Sequence, residues 1–266
     1  MNLEKIRLIV WKEFEEIMKN KLILGSILLT PLIFAFLLPT AMFMPAILSP
    51  GELTSNETTR MISNLPGVAG MSAQEGYFAF MTMALLPFFM MLPAILPTII
   101  SAYSIVGEKK NRTLEPLLAA PVSVDDIMIG KTLAALIPAL AGTWISAAIF
   151  AILVWAMTHN IVHRILVPDL TWLICLFILG PLIAFFGVML TVVISSRVND
   201  PRVAQQFSIV LLLPILAISM AQFTGLLLVN ANMILVICAV IAVADVILVK
   251  IGGQLFDREE ILTHWK

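Results

Sequence analysis

Six apolar runs set the terms for this chain: about Leu22–Met44, Gly76–Val106, Thr132–Met157, Leu170–Ser195, Gln205–Val229 and Met233–Ile251. A hydrocarbon layer about 30 Å thick takes about 20 residues of helix at about 1.5 Å per residue. Each run reaches that length with almost no charge. Buried helices of soluble proteins rarely need so many apolar residues in sequence. Composition agrees: 60% of the residues are hydrophobic, only 12% are charged, and mean hydropathy is +1.02. The expected fold is therefore all-α and integral to a membrane, one domain over residues 1–266 with six transmembrane helices. An even number of spans puts both termini on one side.

Which side follows from lysine and arginine. Fourteen of the 16 fall at the N-terminus, between the second and third runs, after the fourth, and at the C-terminus. Only Arg60 and Arg164 lie on the other side. Both termini and the segment 107–131 are thus expected in the cytoplasm, and residues 45–75 outside. Residues 1–21 read as a helix of a different kind. Leu3, Ile6, Val10, Phe14 and Ile17 follow a 3.6-residue period, with Lys5, Lys12, Glu13, Glu16 and Lys19 largely opposite. Such a basic amphipathic helix should lie in the headgroup plane, in contact with lipid. Lys12–Glu16 and Glu15–Lys19 are spaced to pair along it.

Local signals fill in the rest. Ser72 with Glu75, and Ser123 with Asp126, each fit a capping box. Pro87, Pro93 and Pro97 should kink the second span, and Gly180-Pro181 should break the fourth. Trp155 and Trp172 sit where belt aromatics are expected. Asn56-Glu57-Thr58 fits a glycosylation sequon, a match too short to carry weight. Cys175 and Cys238 read as free thiols in apolar surroundings. A net charge of −1 points to no nucleic-acid partner.

The longest charged segment between apolar runs is Gly107–Lys131. Leu114, Leu117 and Leu118 lie at helical spacing within it, and Pro121 closes the run. That small leucine face needs a cover, either the adjacent membrane helices or another protein. The order Gly107-Glu108-Lys109-Lys110, Arg112-Thr113-Leu114-Glu115, Leu117-Leu118, Ala120-Pro121-Val122-Ser123 and Gly130-Lys131 resembles the signature loop of ABC type-2 permeases. The tail Leu255-Phe256-Asp257-Arg258-Glu259, with Ile261-Leu262-Thr263 and Trp265-Lys266, resembles the tails of that family. The resemblance implies the membrane subunit of an ATP-driven exporter, multi-pass in the cell membrane. It implies that Glu108, Arg112, Thr113, Leu114, Glu115, Leu117, Leu118 and Pro121 serve a coupling loop that docks on an ABC ATPase. It also implies two ATPase subunits, which hold the ATP and Mg, a second permease chain, and a substrate path along the second and fifth spans.

Other chemistry finds little footing. Gly130-Lys131-Thr132 looks like the end of a P-loop, but the glycine needed five residues earlier is Asp125, whose carboxylate would repel phosphate. No nucleotide site, and hence no enzyme activity, is expected in this chain. His159 and His163 are spaced to share a metal on a helix, but no third ligand is close, and no metal site is expected. Thr82, Thr98, Gln222 and Thr224 could line a path, and polar residues in spans equally hold helices together. Asp245 is the one carboxylate within an apolar run, a functional candidate by default. Placed toward the cytoplasmic end near Lys250, it could also face water or a helix partner. An alternative reading is a stand-alone channel or a proton-coupled carrier using Asp245. The substrate is not legible.

Overall fold

A computed structural model describes residues 2–49, 71–110, 122–163, 166–195, 198, 200–224, 226–227 and 229–255. Among them there is no strand, and six helical stretches are long and apolar enough to cross a membrane. The expectations for residues 50–70 of the 45–75 loop, for the sequon, for residues 111–121 and for the tail from Phe256 lie outside the described residues.

α1 (Leu3–Lys19) is opened by Asn2, whose side chain accepts from the N–H groups of Glu4 and Lys5. Asn20 ends α1 and caps the next helix, accepting from Leu22 and Ile23. α2 (Lys21–Leu48) is the first span. The second span is in two pieces, α3 (Ala73–Ala84) and α4 (Leu86–Lys110), parted at Leu85 just before Pro87. Ser72 and Glu75 form the expected reciprocal capping box. Pro93 and Pro97 sit within α4. α5 (Val124–Thr158) is the third span, and α6 (Leu170–Ser195) the fourth. α7 (Pro201–Phe223) and α8 (Ala231–Leu255) complete the set.

The fifth span starts at Pro201, earlier than the apolar run suggests. Asp200 accepts from the N–H of Arg202, and Pro201 fits the first turn, where its missing N–H is not needed. The fourth span differs as well. Gly180-Pro181 does not break α6; the helix passes through a π-helical turn, Cys175–Leu179, and continues. In that turn the Gly180 N–H reaches back five residues to Cys175. Pro181, next in line, has no N–H for Leu176. The indole of Trp144 on α5 donates to the Leu176 carbonyl instead, at 3.0 Å. Two similar repairs occur elsewhere. Ser146 donates to the Pro31 carbonyl at 2.7 Å, just ahead of a π-helical turn at Ile33–Leu37 in α2. Gln222 donates to the Met83 carbonyl at 3.0 Å, the acceptor that Pro87 cannot serve. Without water in the hydrocarbon, such carbonyls must find donors on neighbouring helices.

The second span lies at the centre, with 78% of its most apolar window buried, against 18% and 17% for the fifth and sixth spans. The half nearer its N-terminus packs an aromatic core: Phe89, Phe150 and Trp172 have ring centroids 4.6–5.3 Å apart. Trp172 is therefore not a belt residue, because it stacks on Phe150 and is wholly enclosed. Trp155 does remain exposed, with its ring against His159.

Candidate functional site

The segment 107–131 has two roots: the end of α4, carrying Glu108, and the first turns of α5, carrying Lys131. α1 lies across both. Asn2 donates its backbone N–H to Asp126 at 3.2 Å. Further along, Ile9 meets Gly130, and Ile17 joins the apolar cluster that contains Ile100 and Ala135. The expected second capping box is thus only half formed. Ser123 accepts from the Asp126 N–H, while the Asp126 carboxylate is engaged by Asn2.

At Gly130 the two helices leave no room for a side chain. A Cβ on it would stand 2.7 Å from Ile9 Cγ2 and 2.9 Å from Ile9 Cβ, inside any real contact distance. Beside this approach, four charges close into a chain. Lys12 Nζ is 2.6 Å from Glu108 Oε1, Lys131 Nζ is 2.9 Å from Glu108 Oε2, and Lys131 Nζ is 2.7 Å from Glu13 Oε1. The Ser104 hydroxyl donates to Glu13 at 2.6 Å and accepts from Lys131 at 2.9 Å. Glu13, Glu108 and Lys131 are buried, while Lys12 reaches toward solvent and also pairs with Glu16 at 3.0 Å. Charges out of water are costly alone and tolerable when each has opposite neighbours and hydrogen bonds. Here cations and carboxylates alternate and sum to zero.

Electrostatics follow from that order. Burial pushes the Glu13 carboxyl up, but the charge of Lys131 and hydrogen bonds from Lys131 and Ser104 outweigh it and hold the group below its usual range. Burial likewise pulls the Lys12 ammonium down. The hydrogen bond and charge of Glu108, with Glu13 and Glu16 behind them, prevail and hold it above its usual value.

Sequence periodicity placed Glu13 on the polar side of α1, and the structure corrects this. The buried face is Ile6, Ile9, Glu13 and Ile17, while Leu3 and Phe14 are exposed. The reason is that α1 has a protein partner, and the start of α5 decides which face turns inward. A signal was present: Ile9, Glu13 and Ile17 are four residues apart, so a carboxylate stands inside an isoleucine stripe. The two surface pairs form as expected, Lys12–Glu16 and Glu15–Lys19, the latter at 2.7 Å.

Of the proposed coupling residues, Glu108 belongs to the charge chain. Arg112, Thr113, Leu114, Glu115, Leu117, Leu118 and Pro121 lie outside the described residues. The pathway candidates are scattered. Thr82 and Thr98 are buried, with hydroxyls bonded to carbonyls of their own helix, Phe78 and Ile95. Gln222 is buried against Met83, and the Thr224 hydroxyl turns back to Met220 and Ala221. A small cleft between the second and fifth spans, lined by Ala94, Ile95, Thr98, Gln205, Ile209 and Leu212, holds about 20 Å³, room for one water.

Asp245 is buried on α8, and neither carboxyl oxygen has a hydrogen-bond partner among the described residues. Lys250 is exposed further along the helix and is not its partner. Leu248, one turn on, packs against the cluster that contains Val188, Met189 and Val192 of α6. His159 is engaged locally, its Nδ1 lying 2.9 Å from the Ala156 carbonyl, which accepts. Among the described residues no three potential metal ligands come together.

No curated protein sequence matches the chain. A family model described as ABC-2 family transporter protein matches residues 7–235. The match takes in most of α1, the charge chain, the first five spans and the first residues of α8. Members of this family normally work with an ABC ATPase partner. The chain belongs to the ABC-2 family, as a multi-pass membrane subunit of a transporter.

Proposed function

We propose that this chain is the membrane-spanning half of an ATP-driven exporter in the cell membrane. Two copies, or this chain and a close relative, work with two ATPase subunits that carry the ATP and Mg. One observation supports this above the others: both roots of the 107–131 segment are fastened to α1 by ion pairs, Lys131 to Glu13 in the interior and Glu108 to Lys12 at the rim, and to each other by Lys131–Glu108. A loop meant only to join two spans needs no such anchorage; one that receives force does. ATP-driven closure of the ATPases pushes on Thr113–Ala120, and the permease pair alternates between two states that the ATPases bind differently.

Orientation and membrane contact fit the same reading. The lysine and arginine bias puts the loop and both termini in the cytoplasm. α1 turns Ile6, Ile9 and Ile17 inward, yet Leu3, Leu8, Trp11, Phe14 and Met18 are exposed. Lipid at the headgroup boundary covers that second apolar side. The fifth and sixth spans leave broad apolar faces, suited to lipid and to a second permease chain. The substrate path runs along the second and fifth spans and opens between the two chains.

The test is co-purification of the ATPase with wild type, Leu117→Asp and Leu117→Met, with turnover measured on each. A carboxylate introduced into a seam that is dry on docking costs several kcal/mol, while methionine keeps the volume. Leu117→Asp should insert normally and lose the ATPase or its stimulation. Equal binding and stimulation in all three would mean that the leucine face packs on the membrane helices. A second reading, a stand-alone channel or a proton-coupled carrier, is favoured by Asp245 alone, buried with no hydrogen-bond partner among the described residues. It predicts that Asp245→Asn abolishes a pH-dependent flux that proceeds without an ATPase.

A further inference from the structure

The structure points to a transmission unit built from α1 and the two loop roots, and to Asn20 as its joint with the first span. We propose that Glu13, Ser104, Glu108 and Lys131, with Lys12 at the rim, keep α1, the inner end of α4 and the first turns of α5 together as one rigid block throughout the transport cycle. The block passes its motion to α2 across Asn20. These are positioning residues: they touch neither nucleotide nor substrate. The inference rests on the exporter reading for the source of the motion, but not for the existence of the block.

Three observations carry it. First, the charge chain cannot open cheaply. Parting Lys131 from Glu13 and Glu108 takes from a buried cation both of its carboxylates, whereas sliding a purely apolar contact would not. Second, the contact is continuous and of mixed kind. Asn2–Asp126, Ile9–Gly130, Glu13–Lys131 and the packing of Ile17 in one cluster with Ala135 follow one another along α1 and α5. Third, the chain leaves the block for α2 through one extended residue, although Ile23 of α2 still packs in the cluster of Ile17 and Ala135. Asn20 is extended, at φ −89° and ψ 104°, between two helices. Its N–H closes α1 onto Glu16 and Ile17, and its side chain opens α2 at Leu22 and Ile23. The two ends are thus separately capped, and a change in the Asn20 dihedrals re-aims α2 without breaking a turn of either helix. A few element-terminal residues that absorb backbone rotation are what a hinge requires.

Two measurements test this. The first needs no ATPase: amide hydrogen exchange of the full chain in lipid nanodiscs, wild type against Glu13→Gln. If the block is one unit, exchange in α1 and in residues 124–135 rises together, about tenfold or more, while 212–223 stays unchanged. Faster exchange in α1 alone overturns the block. The second uses the complex with its ATPase and a cysteine pair, Asn2→Cys with Asp126→Cys, compared oxidised and reduced in the same sample. Oxidation fastens α1 to α5, so a rigid block keeps ATP turnover within about twofold of the reduced form. A large loss on oxidation that reduction reverses shows that the two helices must part, and overturns the transmission role. If no ATPase binds the reduced protein, the exporter reading fails, and the exchange result alone decides the block.

Discussion

Gly130→Ala is the most telling substitution, because it changes one methyl group where the two helices leave no room for a side chain. The added Cβ would lie 2.7 Å and 2.9 Å from two atoms of Ile9, where ordinary contact begins near 3.4 Å. One of those atoms is Ile9 Cβ, which no side-chain rotation can move. The side chain is β-branched, so Cγ2 has little freedom either. α1 must then back away by roughly half an ångström or more, an overpacking cost of about 1–3 kcal/mol. The same shift stretches the Lys131–Glu13 contact, now 2.7 Å. Gly107→Ala is the control, since nothing lies within 4 Å of a Cβ there and alanine favours the helix by about 1 kcal/mol. The assay is the maleimide labelling rate of Ile6→Cys, a position on the buried face of α1, in each background. A cost of 1–3 kcal/mol raises the undocked fraction about 5–150-fold. Adding Ile9→Ala should recover part of the loss. Labelling as slow in Gly130→Ala as in Gly107→Ala would falsify the close-packed seat for α1.

Three further outcomes follow from the same geometry. Lys131→Met strands Glu13 in the interior, which costs about 3–5 kcal/mol; the double variant with Glu13→Leu should regain most of it in thermal unfolding, and a double no better than the single would contradict the pairing. Trp144→Phe removes the donor to the Leu176 carbonyl and should cost about 0.6–2 kcal/mol, whereas Trp155→Phe at an exposed site should be silent in the same melt. Docking of α1 should weaken in acid: the Glu13 carboxyl is held below its ordinary value of 4.5, so its contribution is complete above that pH and drains away below it. The mobility of a spin label at Trp11→Cys should therefore be flat from neutral pH down to about 4.5 and rise below it; a rise beginning near neutrality would point to another group.

The sequence made the spans legible because lipid imposes one rule on all of them: enough apolar residues in a row, with every backbone group bonded internally. Ser72 and Glu75 announced their helix for an equally local reason. Errors arose wherever a second element decided the outcome. Glu13 reads as surface on the period of α1 alone, and becomes interior only once Lys131 and Ser104 are brought to it. Trp172 reads as a belt residue from its place near a span end, but Phe150 and Phe89 claim it. Gly180-Pro181 reads as a break, because nothing in α6 foretells the indole of Trp144. Hydrophobicity alone misses Pro201 because the start of the fifth span is polar, although Asp200-Pro201 is itself a helix-start signal. Apolar residues are the least informative here: facing lipid and facing protein ask the same of a side chain, so hydrophobic period cannot tell which side of a span turns inward. The Gly130-Lys131 pair stands out in the sequence only for its likeness to a family signature. Its physical content, a seat for a helix and a partner for a buried acid, required both helices in view.

The most direct measurement of the central claim is photocrosslinking in intact cells, with a benzophenone side chain placed at Leu117 and, as a control, at the exposed Leu28 of α2. If the segment docks on an ATPase, light should join Leu117 to a partner polypeptide carrying a nucleotide-binding P-loop. That adduct should be missing from the Leu28 position. Adducts from Leu117 only to lipid or to spans of this same chain would contradict the account, because the segment would then be covered by the membrane domain itself.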